Sequence, residues 1–153
     1  MNAGRDLRIE ELSEQNLAGA TSLVVKLWPE CTYAEEREHG SQIINAANQN
    51  CFVARAGEAF VGFIQLSLRT DYVEGTATSP ALYVEGLYVE PEWRQRGVAR
   101  LLVRKAGEWG LQMGCSEMAS DAELNNTSSI EFHKAMGFRE VNRVVCFVRP
   151  LVK

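Results

Sequence analysis

The segment Val84–Arg100 reads VEGLYVEPEWRQRGVAR and combines a strand, a turn and the start of a helix. Apolar and aromatic residues predict a strand over Ala81–Val89, and Gly86 inside it indicates a bulge or a close backbone approach. Pro91 ends the strand, and a helix begins near Gly97. The first N–H groups of a helix are unpaired and carry partial positive charge, so this turn suits a pyrophosphate. Cationic side chains flank it at Arg94, Arg96 and Arg100.

The flanking sequence predicts alternating strands and helices. Before the segment we expect a strand at Leu7–Glu11 and a helix that starts at Ser13 or Glu14 and is stopped by Pro29. A second helix at Tyr33–Ala47 and a hairpin of the strands Cys51–Ala56 and Ala59–Leu68 should follow. After it we expect a helix ending at Gly114, then a strand, a helix and a strand at Glu117–Asp121, Thr127–Met136 and Val141–Val148. The order βααβββαβαβ predicts a mixed α/β sheet in one domain over residues 1–153.

Composition narrows the functional classes. The chain is 46% hydrophobic and 24% charged, which is typical of a soluble globular protein. It has no apolar run near the roughly 18 residues of a membrane span and no signal-peptide core, so we expect a cytoplasmic protein without membrane contact. A net charge of −4 argues against a nucleic-acid partner. Four scattered cysteines and two histidines predict no metal site and buried free thiols.

Two motifs carry a family resemblance. Arg94, Gly97 and Ala99 match the pattern [QR]-x-x-G-x-[GA], which resembles the acetyl-CoA signature of the GCN5-related N-acetyltransferases (GNAT). Asn126–Phe138, NTSSIEFHKAMGF, resembles that family's N-x-x-[AS]-x-x-[FL]-Y-x-x-x-G-F block. The resemblance implies the GNAT fold, an α/β (α+β) domain whose mixed central sheet has a splayed strand pair flanked by helices. It also implies acetyl-CoA as co-substrate.

The same resemblance assigns cofactor-binding residues. Backbone amides from Arg96 to Ala99 would hold the CoA pyrophosphate, and the backbone of Leu87–Val89 would pair with the pantetheine arm. The implied set is Leu87, Tyr88, Val89, Arg94, Gln95, Arg96, Gly97, Val98, Ala99, Arg100, Asn126 and Ser129. The chain departs from the family at His133, where a tyrosine commonly protonates the leaving thiolate. His133 is either that acid or a packing histidine on the last helix.

An amine acceptor arrives as an ammonium ion and needs an anionic pocket and a base. Carboxylates near the predicted cleft are Asp71, Glu74, Glu85, Asp121 and Glu123. We expect the base to be Asp121 or Glu85, acting directly or through water. The alternative is that Asp121 only begins a turn and Glu85 is a solvated strand residue.

A second resemblance rests on four short sequence segments: Leu27–Pro29, Asp71–Gly75 with Ser79-Pro80, Val84–Gly86 and Met118–Asp121. These segments are similar to parts of the short aminoglycoside 6′-N-acetyltransferases. The resemblance implies acetylation of the 6′-amine of an aminoglycoside, antibiotic resistance, and a homodimer. The implied substrate-binding residues are Trp28, Asp71, Tyr72, Glu74, Glu85 and Asp121. The subgroup often has an acid near the position of Asn142, so part of the acidic lining is missing here.

Two other functions remain open. A GNAT enzyme of this kind can act on polyamines, other small amines or protein amino termini. The acids of the Asp71–Pro80 loop favour a compact polycation over a peptide. A non-catalytic acetyl-CoA-binding module is the other alternative, and the retained motif and cleft carboxylates argue against it. The mechanism we expect is direct attack by the amine in a ternary complex, without an acetylated residue.

Overall fold

The computed structural model describes residues 6–152, which form two compact units that divide after Ser120. The first unit contains nine elements: β1 (Leu7–Glu11), α1 (Leu17–Leu27), α2 (Tyr33–Asn45), β2 (Gln49–Ala56), β3 (Ala59–Arg69), β4 (Ala81–Val89), a 3₁₀ turn (Pro91–Trp93), α3 (Val98–Gln112) and β5 (Met118–Ala119). The second contains α4 (Thr127–Ala135). The prediction of a single domain over residues 1–153 stays a prediction.

The five strands form one mixed sheet in the order β1-β2-β3-β4-β5. Neighbours are antiparallel as far as β4, and β4 and β5 are parallel. The β2–β3 hairpin turns at Gly57, whose φ of 59° is the left-handed conformation that glycine tolerates. The predicted mixed sheet and hairpin are therefore confirmed. The strand predicted at Glu117–Asp121 is shorter in the structure, where β5 covers only Met118–Ala119.

Helices cover both faces of the sheet. Phe63 and Ile64 are adjacent in β3 and both fully buried, because successive strand residues face opposite sides. Ile64 belongs to the cluster that includes Leu102 of α3, whereas Phe63 belongs to the cluster that includes Leu17 of α1. The central strands are apolar on both faces for this reason, and the helices hold the sheet rigid around the site.

The first two helices begin in different ways. Asn16 is buried and uses its amide to accept from Ser13 N at 2.8 Å and to donate to Glu11 O at 3.0 Å. These bonds hold the loop before the first helix, which begins at Leu17, later than the predicted start at Ser13 or Glu14, without a side-chain cap. The second helix begins with a reciprocal capping box between Thr32 and Glu35.

The second unit holds one capped helix and a tail. Gly137, at φ 92°, ends α4. Residues 138–152 form no helix or strand, so the predicted strand Val141–Val148 is wrong for this chain as described. A strand needs a neighbour for its N–H and C=O groups and a surface for its side chains. Phe147 and Val148 are 92% and 97% exposed, so the described residues offer their side chains no such surface.

The cysteines only partly follow expectation. All four are free, and Cys51 and Cys115 are buried as predicted. Burial raises the pKa of the Cys51 thiol to about 12. Cys31 is half-buried and Cys146 is exposed, so the prediction of buried thiols is wrong for Cys146. Among residues 6–152, no helix has the length and apolar character needed to cross a membrane.

Candidate active site

A bulge in β4 lies at the centre of the site. The β3–β4 register pairs Gln65 with Gly86 and then Leu66 with Val84, so Glu85 has no partner residue. The extra residue is next to Gly86, where the sequence predicts a bulge. A bulge bends its strand and re-aims the side chains around it. Here it leaves Glu85 exposed between the buried Val84 and the half-buried Gly86.

Gly86 is required because Trp28 occupies the space beside it. A Cβ at residue 86 would lie 2.6 Å from Trp28 Cη2 and 3.0 Å from Leu27 Cδ2. Trp28 is the C-cap of α1, and its ring packs against Phe63 with centroids 6.3 Å apart. The structure therefore brings together two predicted substrate-site residues, Trp28 and Glu85, at the bulge.

The carboxylate of Glu85 is held by two residues of β3 that the sequence analysis missed. Its Oε1 accepts from Ser67 Oγ at 2.5 Å and from Arg69 Nη2 at 2.9 Å. The Arg69 guanidinium also stacks on Tyr83, 3.5 Å from the ring centroid. These contacts arise from the pairing of β3 with β4. Aligning the two strands residue by residue would have indicated Ser67 and Arg69 as neighbours of Glu85. These two contacts hold the Glu85 side chain against β3.

The second half of β4 has a strand on one side only within residues 6–120. Gly62, Phe63 and Ile64 of β3 pair with Val89, Tyr88 and Leu87. On the other side, β5 pairs with β4 only at Leu82 and Tyr83. The residues from Val84 to Val89 therefore have no β5 partner, which is the parting of strands expected of this fold. An extended ligand can add to such an edge through main-chain hydrogen bonds.

The turn after β4 presents backbone amides. Gln95 and Gly97 have φ of 61° and 84°, and α3 starts immediately afterwards. The first helical bond runs from Leu101 N to Gly97 O at 3.1 Å, so the amides of residues 98–100 have no acceptor within the helix. No atom lies within 4 Å of a Cβ built at Gly97. The turn is thus open at Gly97 and presents helix N-terminal amides, which suit an anion.

Two of the three predicted arginines hold the turn in place. Arg94 Nε donates to Val89 O at 2.8 Å, and its guanidinium lies 5.7 Å from the Tyr88 ring centroid. Arg96 lies over Trp93 at 5.2 Å. Arg94 therefore joins the turn to the end of β4, a structural task beside any contact with phosphate. Arg100 is exposed on the first turn of α3.

Tyr88 and its neighbours brace the α1 side of the same strand. Its ring lies 6.4 Å from that of Phe63. Burial, with Glu90 adding to it, raises the pKa of the Tyr88 hydroxyl above its usual range. Glu90 accepts from Lys26 Nζ of α1 at 2.7 Å. These contacts fix β4 on α1, so the backbone of residues 87–89 is a firm edge.

The Asp71–Pro80 loop carries three predicted substrate residues. Asp71, Tyr72 and Glu74 are all exposed, and Tyr72 Oη donates to Glu74 Oε2 at 3.2 Å. Val73 between them is buried with Ala81 and Tyr83, which fixes the base of the loop. The loop therefore presents an aromatic ring and carboxylates to solvent from an anchored backbone.

Glu117 anchors the far end of this loop, and the sequence analysis did not identify it. Its Oε1 accepts from Ala77 N at 2.9 Å, from Thr78 N at 2.8 Å and from Thr78 Oγ1 at 2.5 Å. Hydrogen bonds from the Thr78 hydroxyl, and then from these amides, hold the pKa of Glu117 below its usual value. Ser116 Oγ donates to Thr78 Oγ1 at 3.1 Å. No motif marks Glu117, because its role depends on a contact across some forty residues of chain.

The remaining predicted residues lie in the second unit. Asp121 and Asn126 are exposed, and Asn126 caps α4 by accepting from Ser129 N at 3.1 Å. His133 Nδ1 lies 2.6 Å from Ser129 O, so this nitrogen carries a proton, because a carbonyl only accepts. The ring also contacts Phe138 edge-on at 5.2 Å. Asn126 and His133 thus have structural tasks in α4, and their catalytic or cofactor roles stay predictions.

Comparisons with known proteins agree with this geometry. The family model described as the acetyltransferase (GNAT) family matches residues 11–138. The chain belongs to this family. The chain is 37% identical over 139 residues to an aminoglycoside N(6′)-acetyltransferase type 1 of Salmonella enteritidis. The alignment covers 91% of this chain and 96% of that relative. An Acinetobacter baumannii protein of the same name is 36% identical over 145 residues, covering 95% and 99%.

Solved GNAT structures give the same result. AAC(6′)-Iy in complex with the bisubstrate analogue CoA-S-monomethyl-acetylneamine superimposes with a TM-score of 0.91 at 36% identity, covering 95% of this chain and 99% of that one. AAC(6′)-Iy in complex with CoA gives a TM-score of 0.92 at 36% identity, covering 95% of each chain. The predicted fold class and family are therefore confirmed.

Proposed function

We propose that this GNAT protein transfers the acetyl group of acetyl-CoA to the 6′-amine of an aminoglycoside. The observation that carries the proposal is the β4 bulge. Glu85 is the bulged residue, Trp28 packs against the adjacent Gly86, and both positions immediately precede residues 87–89, which have no β5 partner among residues 6–120. A donor site and an anionic, aromatic acceptor site thus share one strand. Relatives of 36–37% identity named for this activity support it.

The donor site fits acetyl-CoA through backbone atoms. The amides of residues 98–100 and the open space at Gly97 suit the pyrophosphate. The β4 edge at Leu87–Val89 suits the amide-containing pantetheine arm. When bound, acetyl-CoA supplies an activated acetyl thioester. Exposed Arg96 and Arg100 lie close enough to the turn to add positive charge for the phosphates.

The acceptor site fits a compact polycation. Flat aromatic surfaces such as Trp28 and Tyr72 pack against sugar rings, and carboxylates such as Glu85 bind ammonium groups. Asp71 and Glu74 add negative charge along the anchored loop. Asp121 belongs to the same proposal as an ammonium ligand, on the strength of the sequence resemblance.

The proposed chemistry is a single displacement. Glu85 or Asp121, directly or through water, takes a proton from the substrate ammonium, and the freed amine attacks the acetyl carbonyl carbon. A C–N bond forms and the C–S bond breaks. A backbone N–H of residues 87–89 donates to the carbonyl oxygen while it carries negative charge. The leaving thiolate takes a proton from His133 or from water.

Three further proposals complete the picture. The protein acts in the cytoplasm, where acetyl-CoA is available, and it functions as a homodimer. Acetylation removes a positive charge from the antibiotic, which weakens its binding to anionic RNA and gives resistance. The alternative acceptor, a polyamine or another small amine, is less well supported, because relatives of 36–37% identity are named for the aminoglycoside reaction.

The decisive experiment measures CoA release with two aminoglycosides that differ only at position 6′, one bearing an amine and the other a hydroxyl. Turnover of the amine alone supports the reaction and its site. Glu85→Gln should raise the aminoglycoside KM while leaving the acetyl-CoA KM unchanged. Glu58→Gln is a matched control, because Glu58 is almost fully exposed in the β2–β3 turn. Cofactor binding without turnover of either drug, combined with turnover of a polyamine, would overturn the antibiotic assignment.

A further inference from the structure

Gln65 of β3 is a buried polar residue whose side chain has no hydrogen-bond partner within residues 6–152. It is 8% exposed, and its carboxamide bonds to no other residue in that range. Buried side-chain amides are nearly always hydrogen-bonded, because an amide withdrawn from water without a new bond destabilises the fold. The exception at Gln65 is therefore a place where a polar group from outside the chain can bind.

Gln65 lies between the two contacts that define the proposed acceptor site. Alternate residues of a strand share a face, so Gln65 shares one with Phe63 and Ser67. Phe63 packs against the Trp28 ring, with centroids 6.3 Å apart, and Ser67 donates to Glu85 at 2.5 Å. The unpaired amide is thus placed along β3 between the aromatic and the anionic group of that site.

Gln65 lines a small pocket between β3 and the first two helices. The pocket has a volume of about 10 Å³, and its mostly apolar lining includes Thr21 of α1 and Glu36 of α2. One water molecule needs a volume of about 10–15 Å³, so the pocket has the size of a single amino or hydroxyl group. A group of that kind would find its hydrogen-bond partners among these three polar residues.

Glu36 supplies a negative charge to this pocket. Its side chain is 12% exposed, and the only cationic group near it among the described residues is His39, whose Nδ1 lies 3.7 Å from Glu36 Oε2. Cys31 links Glu36 to the acceptor site, because its thiol is hydrogen-bonded to Glu36 and its backbone N donates to Trp28 O at 3.0 Å. A carboxylate beside an unpaired amide favours an ammonium group, which carries positive charge and three N–H donors.

We propose that Gln65 and Glu36 bind a second ammonium group of the acceptor, distinct from the amine that receives the acetyl group. This ammonium donates to the amide oxygen of Gln65 and to the carboxylate of Glu36. The inference rests on the proposed function and deepens it, because it makes a second amine at a fixed distance from the first a criterion for the acceptor. A small molecule with a single amine would lack this contact.

The first test is Gln65→Leu, with Gln112→Leu as the matched control. Gln112 is exposed at the end of α3, on the other side of the sheet. Leucine removes the unpaired buried amide, so the Tm of Gln65→Leu should equal or exceed that of the wild type. Its aminoglycoside KM should rise at least about tenfold, because a hydrogen bond to a charged group is lost, while its acetyl-CoA KM stays unchanged. Gln112→Leu should change neither KM.

A series of aminoglycosides, each lacking one amine other than that at position 6′, identifies the group that binds. For one member of the series the wild type and Gln65→Leu should have the same KM, because the contact is already missing. Glu36→Gln should depend on the same amine, whereas Glu38→Gln, an exposed neighbour on α2, should behave as the wild type.

Two results would overturn the proposal and leave the proposed function intact. One is an unchanged aminoglycoside KM in Gln65→Leu, and the other is a KM increase that is equal for every member of the series. Absence of turnover with every aminoglycoside would overturn both the proposed function and this subsite.

Discussion

Replacing Gly86 with alanine tests whether the β4 bulge positions the acceptor wall. The added Cβ would lie 2.6 Å from Trp28 Cη2 and 2.8 Å from Cζ2, well inside van der Waals contact. The ring must therefore shift, together with Leu27, whose Cδ2 would be 3.0 Å away. Inserting one methyl group into a packed site costs about 1–3 kcal/mol. For a chain of this length each kcal/mol lowers Tm by about 2–4 °C.

The kinetic effect should separate the two substrates. Displacement of Trp28 removes an aromatic contact from the proposed aminoglycoside site, and a loss of about 1.4 kcal/mol there raises KM about tenfold. The proposed acetyl-CoA contacts lie one to three residues further along the strand, at residues 87–89, so the acetyl-CoA KM should change much less. Steady-state kinetics with each substrate varied in turn, together with thermal unfolding, measures both effects.

Gly107→Ala is the matched control. Gly107 lies inside α3, and a Cβ there would meet only Met118 Cε at 3.7 Å, which is ordinary contact. Alanine in a helix interior is favoured over glycine by about 0.5–1 kcal/mol, so this variant should raise Tm and leave both KM values unchanged. Opposite signs for the two substitutions support the packing argument. A Gly86→Ala enzyme with unchanged Tm and unchanged aminoglycoside KM would refute it.

Three further predictions concern other contacts. Thr32→Ala removes the capping box with Glu35 and should cost about 1 kcal/mol of unfolding free energy, measured by urea denaturation. Cys51 should resist thiol reagents at pH 8 until the protein unfolds, because burial raises its pKa to about 12, and labelling in the native state contradicts this. Glu117→Gln should raise the aminoglycoside KM alone. Folding lowers the Glu117 pKa below 4.5, so its contribution to the free energy of unfolding is complete above about pH 4.5. That contribution is lost as the pH falls through the lower folded-state pKa, and the variant should not show this loss.

Proline and glycine residues at the ends of strands and helices explain why much of the fold could be predicted. β4 was predicted at Ala81–Val89 and is found there, because Pro91 ends it and the apolar run before it is uninterrupted. The helix that follows starts one residue after Gly97, which adopts the left-handed conformation that only glycine accepts easily. Glycine also fixes the ends of α3 and α4, at Gly114 and Gly137. These signals act within a few residues of chain, so a single sequence contains them.

The features that the sequence did not predict depend on contacts between residues far apart in the chain. Val141–Val148 has strand propensity, but propensity becomes a strand only where another edge accepts its hydrogen bonds. Likewise Ser67 and Arg69 contact Glu85 only through the β3–β4 register, which the bulge shifts by one residue. The motif could identify Arg94 and Gly97, whereas no pattern indicated that Glu117 holds the Asp71–Pro80 loop.

The two halves of the proposed site depend on different kinds of atoms. The proposed donor half would use backbone N–H and C=O groups of residues 87–89 and 98–100, which every residue type except proline supplies as long as the strand and the turn keep their shape. The acceptor half uses side chains, chiefly Trp28 and Glu85, and the Glu85 charge is shared with Arg69. A substitution at Trp28, Arg69 or the loop can therefore change which amine is accepted while the donor half stays intact. In this proposal Arg69 and the substrate ammonium compete for one oxygen of Glu85, so Arg69→Gln should lower the aminoglycoside KM and leave the acetyl-CoA KM unchanged in steady-state kinetics. An unchanged or raised aminoglycoside KM would contradict the competition.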